Sequence, residues 1–200
     1  MMCRLILMFC GTLAIFSGCL SPASSIVVSV FDDGSYNVDS GMDAIADPHA
    51  IQKARIRVID PLTRLSFLNT ALDGLVHDNN LSCIDDFVLE FPDGLQFEFQ
   101  PVGLFVTFSK GSKWLYLCNG SVIGSKKTGI CKIPIEDASD LFSEGKGADG
   151  ILELRCQRDV KLAEIAIVAS IAKQYGYQKF NIVTVYGRIQ DLPIEEFYED

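Results

Sequence analysis

The residues able to do acid–base or nucleophilic work are few. Two imidazoles are present, His49 and His77, and neither lies near a G-x-S-x-G turn of the kind that presents a nucleophilic serine. His77 falls near the expected end of a helix, where a cation suits the helix dipole, and His49 follows Asp47-Pro48 at the start of an ambiguous segment. No catalytic residue is assigned. The run from Gly120 through Gly124 to Ser125-Lys126-Lys127-Thr128 has the composition of a phosphate loop without its spacing, and it lies in a hairpin rather than between a strand and a helix. Asp137, Asp140, Glu144 and Asp149 could be read as calcium ligands, but Ile151 stands where an EF-hand loop from Asp140 needs its closing glutamate. Many other acids are present, and no pair for glycoside hydrolysis can be chosen without geometry. The expected cofactor and metal content is none. Lys110, Lys113, Lys126 and Lys127 fall on expected turns around Trp114 and Tyr116, a candidate basic patch for an anionic envelope polymer or lipid headgroups.

The first 25 residues carry the clearest signal. Arg4 precedes twelve uncharged residues, Leu5 to Phe16, too short a run for a permanent membrane span, which needs about 20 apolar residues. The run ends Phe16-Ser17-Gly18-Cys19, and here the chain resembles bacterial lipoproteins, whose signal closes on an apolar residue, a small one, Gly or Ala, and the lipidated Cys. Phe16 departs from the aliphatic residue that family prefers. The resemblance implies a signal peptide over 1–18, acylation (palmitate included) at Cys19, a tether over 19–25 and one domain over 26–200. By the same resemblance, Leu20 after the Cys implies export to the outer membrane, facing the periplasm. The alternative is a secreted protein cut after Ala23, for which Asn80-Leu81-Ser82 and Asn119-Gly120-Ser121 would be glycosylation sequons in a eukaryotic host.

Export gives the cysteines a meaning. Cys83, Cys118, Cys131 and Cys156 remain after the signal region, an even set in an oxidising compartment, and two disulfides are expected, Cys118 with Cys131 across a hairpin and Cys83 with Cys156. No two of them have the spacing of a zinc ligand pair. With 200 residues, 48% hydrophobic, and a formal net charge of −9, the chain suits one compact domain and is a poor binder of nucleic acid.

The elements that must position these groups read as α+β. Ser25 to Val38 suggests a hairpin around Asp33-Gly34 or an extended arm, and 48–59 is ambiguous between helix and strand. Asp60-Pro61 reads as N-cap and first residue of a helix with Leu62, Leu65, Leu68, Leu72, Leu75 and Val76 in one stripe. Alternating apolar residues at 87–91, 95–99, 104–108, 114–118 and 130–135 predict an antiparallel meander, followed by an exposed loop over 136–150. A strand at 151–156, a helix capped by Asp159 and closed by Gly176, and a strand at 180–186 complete the chain. Ala169, Gly176, Tyr177, Phe180 and Ile182 are similar to the last helix and strand of some small bacterial lipoproteins, with Ser170 where those carry Glu. No internal repeat is visible. The expected role is a non-catalytic envelope lipoprotein that binds a protein partner or supports an envelope assembly; a secreted binding protein and an envelope hydrolase are the alternatives.

Overall fold

The structure is a computed structural model and describes residues 24–40, 51–78, 84, 86–102, 113–126, 129–142 and 150–185. Cys19, His49, Cys83, Lys110 and Lys127 lie outside the described residues. The elements run β1 (Ser24–Val30), β2 (Tyr36–Ser40), β3 (Ile51–Val58), α1 (Leu65–Asp78), β4 (Asp86–Glu90), β5 (Gln96–Val102), β6 (Lys113–Cys118), β7 (Ser121–Lys126), β8 (Gly129–Pro134), a 3-10 helix (Ile135–Leu141), β9 (Ile151–Gln157), α2 (Leu162–Gln174) and β10 (Lys179–Val185).

All ten strands form one mixed sheet in the order β2-β1-β3-β4-β5-β10-β9-β6-β7-β8. This overturns the expected antiparallel meander. The β4–β5 hairpin is there and the expected strand over 104–108 lies outside the described residues, but β5 pairs in parallel with β10 and β6 pairs in parallel with β9, where the meander required antiparallel neighbours. Pairings of β1 with β3, β3 with β4, β5 with β10, β10 with β9 and β9 with β6 are parallel. Period-2 alternation identifies strands without saying which strands pair, and parallel neighbours come from distant parts of the chain. The ambiguous segment is strand β3, with Ala54, Ile56 and Val58 buried and Lys53, Arg55 and Arg57 on the other face.

Both helices and the 3-10 helix pack on one face of the sheet. Leu65, Leu68, Leu72 and Leu75 of α1, Leu162, Ile165, Val168 and Ala172 of α2, and Ile135, Ala138 and Leu141 share a continuous core with the inward residues of the strands. The segment 136–150 is thus not wholly an exposed loop: its first turns are anchored in the core. At the middle of the sheet Phe180 of β10 stands edge-on to Phe97 of β5 at 5.0 Å, and Phe97 stacks on Phe91 at 5.8 Å.

The fold contains an internal repeat. The order β2-β1-β3-β4 and the order β7-β6-β9-β10 describe the same unit: a hairpin, a third strand parallel to the hairpin's first, a helix, and a fourth strand parallel to the third. The two units run in opposite directions and meet through β5, antiparallel to β4 and parallel to β10. Their helix starts pair. Arg64 and Lys161 form an antiparallel bridge, Leu65 N–H donates to the Val160 carbonyl and Leu162 N–H to the Thr63 carbonyl, both at 2.9 Å. Ser66 N–H donates to the Arg158 carbonyl and Ala163 N–H to the Pro61 carbonyl.

Every one of these contacts maps onto its partner by a shift of 97 residues, Leu65 to Leu162. A helix leaves its first N–H groups without intrahelical partners, and here each helix's first two are satisfied by the other's entry loop. That explains why the expected caps do not cap. The Asp60 side chain accepts from Leu62 N–H at 2.8 Å in a local turn, α1 begins four residues after Pro61, and α2 begins at Leu162 with Lys161 at its N-cap. Glu164 closes the α2 start, its carboxylate accepting from Lys161 N–H at 2.8 Å and from Gly120 N–H at 2.7 Å.

The expected disulfide clamp is also absent among the described residues, where Cys118, Cys131 and Cys156 are free thiols. The reason is sheet parity. Cys118 packs with Tyr116 and Ile123 on the face away from the helices, while Cys131 and Cys156 belong to the helix-side core. Cys118 and Cys131 also sit on β6 and β8, with β7 between them. The predicted Cys83–Cys156 pair cannot be followed, since Cys83 lies outside the described residues, but Cys156 Sγ approaches the Leu154 carbonyl at 3.6 Å and is fully buried.

Candidate functional site

The residues singled out for chemistry do not converge. His77 sits in the exposed last turn of α1. Asp140 pairs with Lys126 at 3.2 Å, and Asp137 lies in the same 3-10 helix, while Glu144 and Asp149 are outside the described residues. The basic patch is divided between two faces. The Lys113 ammonium reaches the Leu141 carbonyl on the helix side and lies 5.5 Å from the Phe142 ring. Trp114 and Tyr116 belong to the cluster on the opposite face, where Tyr116 is buried.

The look-alike phosphate loop has a structural explanation. Asn119 and Gly120 hold φ of 34° and 73° in the two-residue turn between β6 and β7, a geometry favoured by Asn-Gly pairs. A β-carbon on Gly124 would stand 2.6 Å from Leu115 Cδ2 and 3.1 Å from Leu141 Cδ1. Gly124 is a packing residue where the 3-10 helix crosses β7.

The face away from the helices is polar on the β3 side. Arg55 meets Glu90 at 3.5 Å, Arg57 meets Asp39 at 3.3 Å, and Glu98 lies between Lys53 and Lys179 at 3.7 and 3.4 Å. Exposed pairs of this kind contribute little. On the β6 side the face carries a buried pair, Arg155 Nε donating to Glu153 at 2.6 Å with the guanidinium 5.0 Å over the Trp114 ring. Burial raises the phenol of Tyr116 and the thiol of Cys118 above their ordinary ranges, and drives the Cys156 thiol up further still. A thiol held protonated is a poor nucleophile.

The feature that stands out is apolar. An open groove of about 460 Å³ runs between the outer side of α2 and the β4–β5 turn, lined by Pro61, Phe91, Pro92, Leu95, Ala166 and Ile167 among others, with Asp93 and Ser170 its polar members. Large hydrophobic side chains left exposed among the described residues are Phe31 at 37%, Ile59 at 46%, Leu62 at 61% and Ile167 at 42%. They adjoin this groove or one another. Ile167 lines it, Leu62 follows Pro61 of its wall, and Ile59 N–H donates to the Val30 carbonyl next to Phe31.

Sheet direction puts this patch at one end of the molecule. β1, β3 and β4 are parallel, so the segments that follow Val30, Val58 and Glu90 gather together, opposite the end where Ser24 begins β1. The paired helix starts bring Ala163 and Ile167 to the same end. Three aspartates hold the turns there by similar means: Asp33 accepts from Ser35 N–H at 2.8 Å, Asp60 from Leu62 N–H at 2.8 Å and Asp93 from Leu95 N–H at 3.0 Å. Hydrogen bonds from the Ser35 side chain and backbone hold the Asp33 carboxyl below its ordinary range.

Sequence reasoning missed the groove because its wall joins residues 61, 91–95 and 163–171, which no local pattern connects. Leu62 continues the leucine stripe in sequence, but it lies in the turn before α1 and is exposed, which the pattern alone does not reveal. No protein-family model matches the chain, and no curated protein matches it.

Proposed function

We propose that this chain is a non-catalytic envelope lipoprotein, anchored to the outer membrane through lipid on Cys19 and facing the periplasm, that docks a protein partner on the groove end of its sheet. The observation that carries the reading is one open apolar groove with Ile167 exposed in its lining, at the end of the sheet where Phe31, Ile59 and Leu62 are also exposed, since exposed apolar surface concentrated at one end of a domain marks an interaction site. Its placement agrees with the anchor. Four residues, Leu20 to Ala23, separate Cys19 from Ser24, so the five steps reach about 17 Å at full extension. A tether that short holds the start of β1 near the membrane and leaves the groove, past the far end of β1, pointing away from it.

The experiment has two parts. The intact mass of the protein from the membrane fraction of a Gram-negative host should correspond to a chain starting at Cys19 with an acyl-sized excess, and Cys19→Ser should abolish both the excess and the membrane association. A photoreactive amino acid at Ile167 should give a discrete protein adduct in the envelope, while the same group at Arg57, on the opposite face, should not. An unmodified chain in the soluble fraction would overturn the anchor; equal or absent adducts at the two positions would overturn the docking role.

A further inference from the structure

The rim of the groove specifies a partner more narrowly. Asp93 lies in its lining, Asp60 precedes Pro61 in its wall, and Asp32 and Asp33 follow the exposed Phe31 at the same end. The turn hydrogen bonds are accepted by Asp33, Asp60 and Asp93 from local N–H groups, which leaves each carboxylate its charge. None of the four makes an ion pair with another described residue. Of the entry-loop cations, Arg64 and Arg158 are engaged by Asp159 at 3.8 and 3.9 Å, and Lys161 at the α2 N-cap is the exposed cation that remains beside this end. The helix starts add no anion site, because the first two N–H groups of each are taken by the other's entry loop.

Resting on the docking role proposed above, we infer that the occupant is a peptide segment of the partner with bulky aliphatic anchors flanked by Lys or Arg. The aliphatic side chains seat between Ile167 and Pro92, and the cationic flanks meet Asp60 and Asp93. Charge of this kind acts over roughly 10 Å at ordinary ionic strength and sets which partner docks.

Two short synthetic peptides with the same Leu/Ile anchors, one flanked by Lys and one by Glu, test this against the folded domain by fluorescence anisotropy. The Lys-flanked peptide should bind about tenfold or more tighter at low salt, a gap of about 1.4 kcal/mol, narrowing as salt is raised. Asp33→Asn, Asp60→Asn and Asp93→Asn together keep the turn acceptors and remove the charge, and should erase the gap.

The chain's overall charge of −9 would attract any cation, and Ile167→Asp separates that effect. Adding a negative charge strengthens a merely electrostatic encounter, whereas it should abolish seating in an apolar groove. Equal binding of the two peptides, or Lys-peptide binding that survives Ile167→Asp, overturns the inference. So does concentration-dependent dimerisation lost in Ile167→Asp, which would make the occupant a second copy. A discrete envelope adduct at Ile167 to a partner whose contacting segment is acidic or uncharged would sink this inference while leaving the docking role intact. Absence of any adduct would remove the docking role itself.

Discussion

Replacing Gly124 by Ala sets two effects of opposite sign against each other. In the interior of a strand glycine is ordinarily a liability, and Gly→Ala stabilises by about 0.5–1 kcal/mol because the unfolded chain loses freedom. Against that, the new methyl would lie 2.6 Å from Leu115 Cδ2 and 3.1 Å from Leu141 Cδ1. Neither leucine is at a flexible margin: both are fully buried, Leu115 on the neighbouring strand β6 and Leu141 at the end of the 3-10 helix. Forcing a methyl into a packed core costs about 1–3 kcal/mol. The clash therefore wins, and Gly124→Ala should destabilise by about 1–2 kcal/mol net of the propensity gain. For a domain of this size that lowers Tm by roughly 2–8 °C. Urea unfolding followed by circular dichroism reads the change directly, with the slope unchanged. Leu115→Ala in the Gly124→Ala background should cost less than Leu115→Ala alone, because it removes the atom the methyl meets. A Gly124→Ala protein as stable as the parent, or more so, would refute the packing role and reopen the 120–128 segment to a functional explanation.

Other predictions follow from the same geometry. Thr63→Val should stabilise by about 1 kcal/mol in urea unfolding, because the Thr63 hydroxyl is buried without a partner and its counterpart in the second unit is already Val160; a loss of stability would argue against the equivalence of the two units. Glu164→Ala should cost about 2 kcal/mol by loss of charge-assisted bonds to Lys161 and Gly120 N–H, and Glu164→Gln should recover less than half of it, because its amide keeps one acceptor oxygen and turns a donor toward the other N–H. Alkylation with peptide mapping should label half-buried Cys131 before Cys118 or Cys156 in the folded protein; disulfide-linked peptides joining any two of these three would contradict the free thiols. Stability should fall as pH rises above about 9, the unfolded thiol value. Cys118 and Cys156 have folded pKa values raised by burial, so the folded state keeps protons that the unfolded state releases. Cys118→Ala with Cys156→Ala should flatten the onset of that decline and leave the part above about pH 10, which the raised Tyr116 phenol contributes.

Local chemistry was legible in the sequence wherever one segment decides it. The α1 leucines, the strand alternation at 87–91 and 95–99 and the turn at Asp93-Gly94 are all found in the fold, because period and turn conformation are properties of a few adjacent residues. The proposed lipobox likewise rests on four consecutive residues, Phe16 to Cys19, which lie outside the described residues. Tertiary structure alone decided which strands pair, and with that the parallel middle of the sheet and the separation of Cys118 from Cys131 onto opposite faces. It also decided where α1 begins. Asp60-Pro61 is a sound local start, yet the helix waits until Leu65 because there its free N–H groups meet the Val160 and Arg158 carbonyls. The repeat escaped notice for a related reason: the two units share a hydrogen-bond plan and very little side-chain identity, so it shows in backbone contacts and not in residues. The groove depends on all of this. Its apolar residues are unremarkable one by one in the chain and become a surface only when a helix from one unit is laid beside a hairpin from the other.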